Sequence, residues 1–212
     1  MPSRLQNRRG VYLITPDVAD TGELEALCSM LLQHPVALLQ YRNKSAATAL
    51  KHRQGKALWA VCRNAGVPLL INDDWRLAAE LGADGVHLGR DDTDPGTVRE
   101  ALGNQALIGV SCYNEMGRAH DAAVQDIDYL AFGAVFPSPT KPLASQAPLH
   151  LFAEARALGK AMVAIGGIRP DNSAQLCAAG ADFIAVISGV FDAPDPVAAL
   201  IAYNHSFSKV TP

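Results

Sequence analysis

The 212-residue sequence predicts a single-domain (β/α)8 barrel, an α/β fold of parallel strands each followed by a helix. Three observations predict it. Short β-rich apolar runs alternate eight times with segments of helical composition. No Pro/Gly/Ser-rich linker or charge block divides the chain, so it reads as one domain over 1–212, with about 1–9 as an N-terminal extension. The chain also resembles itself: Glu80-Leu81-Gly82-Ala83-Asp84-Gly85-Val86 and Ala178-Ala179-Gly180-Ala181-Asp182-Phe183-Ile184 both read helix end, glycine stop, strand. Glycine past the last helical turn takes positive φ and closes a helix C-terminus. An open doubly wound sheet is the competing arrangement, but eight units in so short a chain favour closure.

The predicted strands are 11–15, 36–42, 68–73, 85–88, 107–112, 129–134, 162–167 and 183–188. The helices between and after them are 23–33, 46–64, 75–81, 95–102, 115–124, 149–158, 172–179 and 196–203. A hydrophobic fraction of 49% and a charged fraction of 18% describe an ordinary globular chain. The net charge of −3 gives no reason to expect nucleic acid or an anionic membrane as partner. Any anion site must therefore be local, built from a few basic groups and backbone amides. The three arginines of 1–10 precede an apolar run of only 11–14, too short for a signal-peptide core or a membrane span. Cys28, Cys62, Cys112 and Cys177 are scattered without a C-x-x-C pair, as expected in a reducing cytoplasm.

In such a barrel the chemistry sits at the C-terminal ends of the strands. The second strand ends Gln40-Tyr41-Arg42-Asn43-Lys44, and alternation puts Gln40, Arg42 and Lys44 on one face. Two cations one step apart suit a diphosphate, although Arg and Lys at a strand end are also ordinary surface residues. The third ends Asn72-Asp73-Asp74 and the fourth His87-Leu88-Gly89-Arg90-Asp91-Asp92. Neighbouring strand ends could bring Asp73 and Asp92 to one cation, since magnesium binds through one or two carboxylates plus phosphate oxygens. Asn72 offers a donor and an acceptor to a ring edge. Helix capping is the competing reading, stronger for Asp74 than for Asp73, and Asp91, Asp92 and Asp94 also suit a turn before Pro95. His87, among apolar neighbours, reads as a satisfied core histidine.

The fifth strand ends Gly109-Val110-Ser111-Cys112-Tyr113. No histidine and acid accompany Ser111, so it reads as a hydrogen-bonding residue and not a nucleophile. Cys112 reads as a small buried residue. The segment 136–146 is the longest without helical or strand pattern, which suits either an active-site loop or a Pro-rich connector. It carries Ser138, Thr140 and Lys141. Ile165-Gly166-Gly167-Ile168 and Val186-Ile187-Ser188-Gly189 close the last two strands, where barrels often hold phosphate on backbone amides.

This ordered set of strand ends resembles the thiamine-phosphate synthase (thiamine-phosphate pyrophosphorylase) family. The matching pieces are Tyr12-Leu13-Ile14-Thr15, Gln40-Tyr41-Arg42-Asn43-Lys44, Asn72-Asp73, Gly82-Ala83-Asp84-Gly85-Val86-His87-Leu88-Gly89 and Gly109-Val110-Ser111. Phe136-Pro137-Ser138-Pro139-Thr140-Lys141-Pro142, Ala164-Ile165-Gly166-Gly167-Ile168 and Ala185-Val186-Ile187-Ser188 complete the set. The resemblance implies a Mg2+-dependent transferase that condenses a hydroxymethylpyrimidine diphosphate with a thiazole phosphate. By position, Gln40, Tyr41, Arg42, Asn43, Lys44, Asn72, Ser111 and Lys141 would bind the pyrimidine diphosphate. Ser138, Pro139, Thr140, Gly167, Ile187 and Ser188 would bind the thiazole phosphate. Asp73 and Asp92 would ligate Mg2+, with Arg42, Lys44, Ser111 and Lys141 as the implied catalytic set. The chain departs from the family's commoner pattern at Tyr41, Asn43, Tyr113 and Ser138.

The rival within the fold is a thiazole-phosphate-binding relative, an isomerase or regulator, with no need of Arg42, Lys44, Asp73 and Asp92 together. A rival from another class is a non-catalytic phosphate-ligand sensor, expected to bind without turnover or a magnesium requirement. Small-molecule substrates, a cytoplasmic location and no nucleic acid or membrane partner complete the expectation. Apolar helix surface is compatible with a homo-oligomer.

Overall fold

Successive side chains of a strand face opposite ways, and nearly every strand of this chain is apolar in both directions. The computed structural model describes residues 4–5, 8–137 and 146–208. Its strands are β1 (Gly10–Ile14), β2 (Leu38–Tyr41), β3 (Leu69–Asn72), β4 (Gly85–Leu88), β5 (Leu107–Tyr113), β6 (Tyr129–Gly133), β7 (Ala161–Ile165) and β8 (Phe183–Val186). Each pairs in parallel with its sequence neighbour, and β8 closes onto β1 through Gly10↔Phe183 to Leu13↔Val186. The closed barrel is the predicted fold.

The helices are α1 (Thr21–Leu31), α2 (Thr48–Ala65), α3 (Trp75–Leu81), α4 (Pro95–Leu102), α5 (Met116–Ala123), α6 (His150–Ala155), α7 (Ala174–Ala179), α8 (Ser188–Phe191) and α9 (Pro196–Ser208). β4, α3 and α4 have the expected bounds. β7 stops before Gly166 and Gly167, whose φ angles of 97° and 67° leave the extended region. β8 also ends early, because the chain turns into the unexpected helix α8 at Ser188. The glycines of the two self-similar segments close their helices as expected, Gly82 at φ 64° and Gly180 at φ 110°.

Two apolar layers follow from the alternation. Tyr12, Leu38, Leu70, Tyr129, Val163 and Phe183 pack inside the barrel. Val11, Leu39, Leu69, Val86, Leu130 and Ile184 face the helices instead. The four cysteines are free and buried. Inside, Gly109 admits Tyr129: a Cβ there would stand 1.8 Å from the tyrosine ring.

The self-similarity has a second physical reason, beyond the helix stop. An aspartate precedes each of β4, β6 and β8, and its carboxylate accepts a backbone N–H from the strand before. Asp84 takes Leu69 N at 2.8 Å, Asp128 takes Ile108 N at 2.8 Å, and Asp182 takes Met162 N at 2.9 Å. Asp128, fully buried, also receives Arg99 and Arg4 at 2.9 Å each. These ties sit at the N-terminal end of the barrel, the end associated with stability. Among the described residues, no helix is long and apolar enough to cross a membrane.

Gly109→Ala should lower the unfolding free energy by about 3 kcal/mol or more, because the overlap is with a fully buried ring. Asp182→Ala should cost about 1.5–3 kcal/mol, the worth of a charged hydrogen bond, and leave Michaelis constants unchanged. Urea unfolding and steady-state kinetics check both.

Candidate active site

The interior of the barrel is polar just beneath the mouth. Gln40, 2% exposed, donates its Nε2 to the Tyr12 hydroxyl at 2.6 Å. Tyr12 meets the Tyr129 hydroxyl at 2.8 Å, Tyr129 meets His87 Nδ1 at 2.9 Å, and His87 Nε2 meets Ser111 Oγ at 2.8 Å. Desolvation pushes the His87 imidazole down to about 4, so it is neutral near pH 7. Burial pushes both tyrosines up, so the whole chain of groups is uncharged. With Gln40 as donor, one direction satisfies every member: Tyr12 donates to Tyr129, Tyr129 to His87, and His87 to Ser111. The Ser111 hydroxyl proton then remains to be given to a ligand in the mouth. His87 is a satisfied interior histidine as the sequence suggested, yet its partner Ser111 makes it the floor of the site.

Above the floor the charges gather. Arg42 Nη1 donates to Asp17 Oδ1 at 2.7 Å, and the Arg42 main chain is pinned through Thr15 Oγ1 at 2.8 and 2.9 Å. Lys44 Nζ lies 3.4 Å from Asp73 Oδ2. Asp73 and Asp92 stand within hydrogen-bonding reach of each other, one at the end of β3 and the other beyond β4. Burial first, and then the Asp92 carboxylate, raise the Asp73 carboxyl above its usual range, while Lys44 opposes the rise. Asp73 adopts φ 63°, with its N–H on the His87 carbonyl at 2.9 Å. Such a backbone costs a non-glycine residue on the order of 1 kcal/mol and tends to mark functional sites.

Asp74 and Asp94 are caps, accepting Leu77 N at 3.0 Å and Thr97 N at 3.2 Å. Asp73 and Asp92, whose carboxylates adjoin, could share a cation. Among the described residues no group of three His, Cys, Asp or Glu side chains could hold a metal. Two adjoining carboxylates nevertheless match the oxygen donors of Mg2+, which completes its shell with water and phosphate oxygens.

The same alternation that places Gln40 and Arg42 turns the Tyr41 and Asn43 side chains the other way. Tyr41 packs in the layer facing the helices, with its hydroxyl donating to Gln54 Oε1 at 2.9 Å. Asn43 Nδ2 donates to Val18 O at 2.7 Å and to Gln54 Oε1 at 3.0 Å. Both side chains buttress the β2 end from behind.

Across the mouth, Gly167, at φ 67°, lies against the loop after β6; a Cβ there would meet Phe136 O at 2.4 Å. The glycine is thus required by backbone packing as well as by any anion. Tyr203 of α9 donates to Ile168 O at 2.8 Å, and Asn172 Nδ2 donates to Gly167 O at 3.2 Å. Together they brace the end of β7 beside Ile187 and Ser188, where α8 begins. Ser138, Pro139, Thr140 and Lys141 lie outside the described residues.

Asp17, Tyr129, Gln54 and Tyr203 are part of this construction and escape the sequence reading, which names Tyr12 and Thr15 only within the family resemblance. Thr15 and Asp17 did carry a signal, a polar pair just past the first strand. The contact between Tyr12 and Tyr129 spans 117 positions, and no local pattern signals it.

The comparisons with known proteins concern the sequence and the barrel as a whole. A profile of the family described as thiamine monophosphate synthase matches residues 11–190. The thiamine-phosphate synthase of Xanthomonas campestris pv. campestris (strain 8004) is 54% identical over 209 residues, covering 99% of this chain and 100% of that protein. That of Azoarcus sp. (strain BH72) is 53% identical over 201 residues, 94% of this chain and 98% of the relative. A solved structure of thiamine phosphate pyrophosphorylase from Pyrococcus furiosus superposes with a TM-score of 0.86 at 29% identity, covering 99% of this chain and 100% of that one. With a full-length match to the sequence and the barrel alike, the chain belongs to the thiamine monophosphate synthase family.

Proposed function

We propose that the protein is a Mg2+-dependent thiamine-phosphate synthase, joining a hydroxymethylpyrimidine diphosphate to a thiazole phosphate with release of diphosphate. One observation carries the reading: Lys44 pairs with Asp73, which adjoins Asp92, beside Arg42 on the same β2 end and next to an uncharged floor. A phosphate-binding relative without coupling activity would need only the Gly167 and Ser188 side of the mouth. Names of relatives over the full chain support the same choice.

Arg42, Lys44 and Asn72 hold the pyrimidine diphosphate in this reading, and Gln40 and Ser111 orient its ring. Arg42 exchanges Asp17 for phosphate oxygens, and Lys44 exchanges part of its pairing with Asp73. Asp73 and Asp92 are the ligands of Mg2+, which when bound neutralises charge on the diphosphate. Gly167, Ile187 and Ser188 receive the thiazole phosphate, and by family pattern Ser138, Pro139 and Thr140 contact it too while Lys141 serves the pyrimidine side.

The bond between the pyrimidine methylene carbon and the diphosphate oxygen breaks, and its electron pair leaves with the diphosphate. Arg42 and Lys44 stabilise the charge that develops there. The ring amino group supports the positive methylene carbon, and the thiazole nitrogen lone pair then forms the new C–N bond. No proton changes hands. A neutral imidazole bonded at both nitrogens suits that chemistry, since it orients Ser111 and is not required as a base. Positioning two bound reactants supplies the remainder.

Asp92→Asn should reduce coupling at limiting magnesium by about 10²-fold, the scale of losing one group aimed at developing charge. Full activity of that variant under limiting Mg2+ would overturn the ligand assignment. Lys44→Met should raise KM for the pyrimidine diphosphate roughly tenfold or more and leave KM for the thiazole phosphate unchanged. Ser188→Ala should do the reverse, by roughly fivefold; steady-state assays varying each substrate in turn read this split.

A further inference from the structure

Arg118, on α5, takes no part in the proposed chemistry, yet it joins two strand ends of the site. Its Nε donates to the Ser111 carbonyl at 2.6 Å and its Nη2 to the Gly89 carbonyl at 2.8 Å. Ser111 sits where the β5–β6 pairing shifts register, between Ser111 and Tyr113, and Gly89 lies one residue beyond β4. A planar guanidinium can serve both carbonyls in one fixed geometry, which an ammonium cannot.

The consequence reaches the acid. The Gly89 N–H donates to Asp92 Oδ2 at 2.6 Å, so the glycine is held by Arg118 through its carbonyl and holds Asp92 through its nitrogen. On the other side Ser111, held by Arg118 through its carbonyl, meets His87 through its hydroxyl. Tyr113, at φ 55°, closes the arrangement: its ring lies 5.9 Å from the Arg118 guanidinium and 4.9 Å from that of Arg90. Arg90 in turn pairs with Glu115, just before α5. The segment after β4 and the segment after β5 are thereby strapped to each other and to the same helix.

We propose that Arg118 is a positioning residue that locks the ends of β4 and β5 together, so that Asp92 and Ser111 are presented to the pyrimidine diphosphate at a fixed separation. The proposal rests on the coupling function assigned above. It makes Arg118 specific to one half of the mouth, since among the described residues its hydrogen bonds go to the ends of β4 and β5.

The test compares the full-length protein with Arg118→Met, which keeps the aliphatic stem, and Arg118→Lys. Calorimetric titration with Mg2+ and inorganic diphosphate reads the site without turnover, and steady-state kinetics reads each KM. Arg118→Met should weaken Mg2+–diphosphate binding roughly tenfold, as loss of a supporting partner does at metal sites. It should raise KM for the pyrimidine diphosphate by a comparable factor, with KM for the thiazole phosphate unchanged and Arg118→Lys intermediate. Unchanged binding in both variants, or an equal rise in both KM values with a lowered Tm, would overturn the positioning role and leave the synthase reading standing. A wild-type protein that neither couples the substrates nor binds Mg2+–diphosphate would overturn the synthase reading and this proposal with it.

Discussion

Closure of eight parallel strands is the constraint on which the rest of the molecule depends. Once β8 pairs with β1, every strand has two neighbours and the register of each ladder decides which residues share the mouth. Asn72 lies opposite His87, and His87 opposite Gly109, so the ends of β3, β4 and β5 rise beside one another. That register sets where Asp73 and Ser111 stand, and the turn that ties Asp92 to the Gly89 N–H brings its carboxylate to Asp73. The interior cannot take a ligand, because side chains such as Tyr12, Tyr129 and Phe183 fill it, and binding is confined to the rim.

The two ends of the barrel divide the work between them. At the entry end, charges are matched: Asp84, Asp128 and Asp182 accept backbone N–H groups, and Asp128 meets both Arg4 and Arg99. At the exit end, matching is incomplete. Two carboxylates crowd each other, Lys44 reaches Asp73 only at 3.4 Å, and Asp73 and Tyr113 both carry left-handed backbone. Crowded acids and strained backbone are unfavourable in isolation and are retained where a ligand relieves them. Rigid packing below lets such a site persist above.

Between the two ends lies the uncharged relay from Gln40 to Ser111. Burial keeps its tyrosines protonated and its histidine neutral. A floor of this kind orients a polar ring without competing for the charge that Arg42, Lys44 and the paired acids are arranged to manage. A displacement reaction in which no proton is transferred suits it well.

Local chemistry made much of this legible in one dimension. Alternating apolar runs, helical segments and glycine stops gave the eightfold βα order, and the strand ends named Gln40, Arg42, Lys44, Asn72, Asp73, Asp92 and Ser111 as a group. Asp74 could be set aside because capping is a local interaction between an aspartate and the N–H three residues on. The tertiary structure decided whatever depends on pairs distant along the chain. It turned Tyr41 and Asn43 behind the β2 end to Gln54, made His87 the partner of Ser111, and brought Arg118 to Gly89 across 29 positions. It also revealed that Asp84 and Asp182 tie strands together. Linear spacing shows which residue types are available and which way a strand can turn them. The side chain that each one meets is set by barrel closure and register, which no local segment contains.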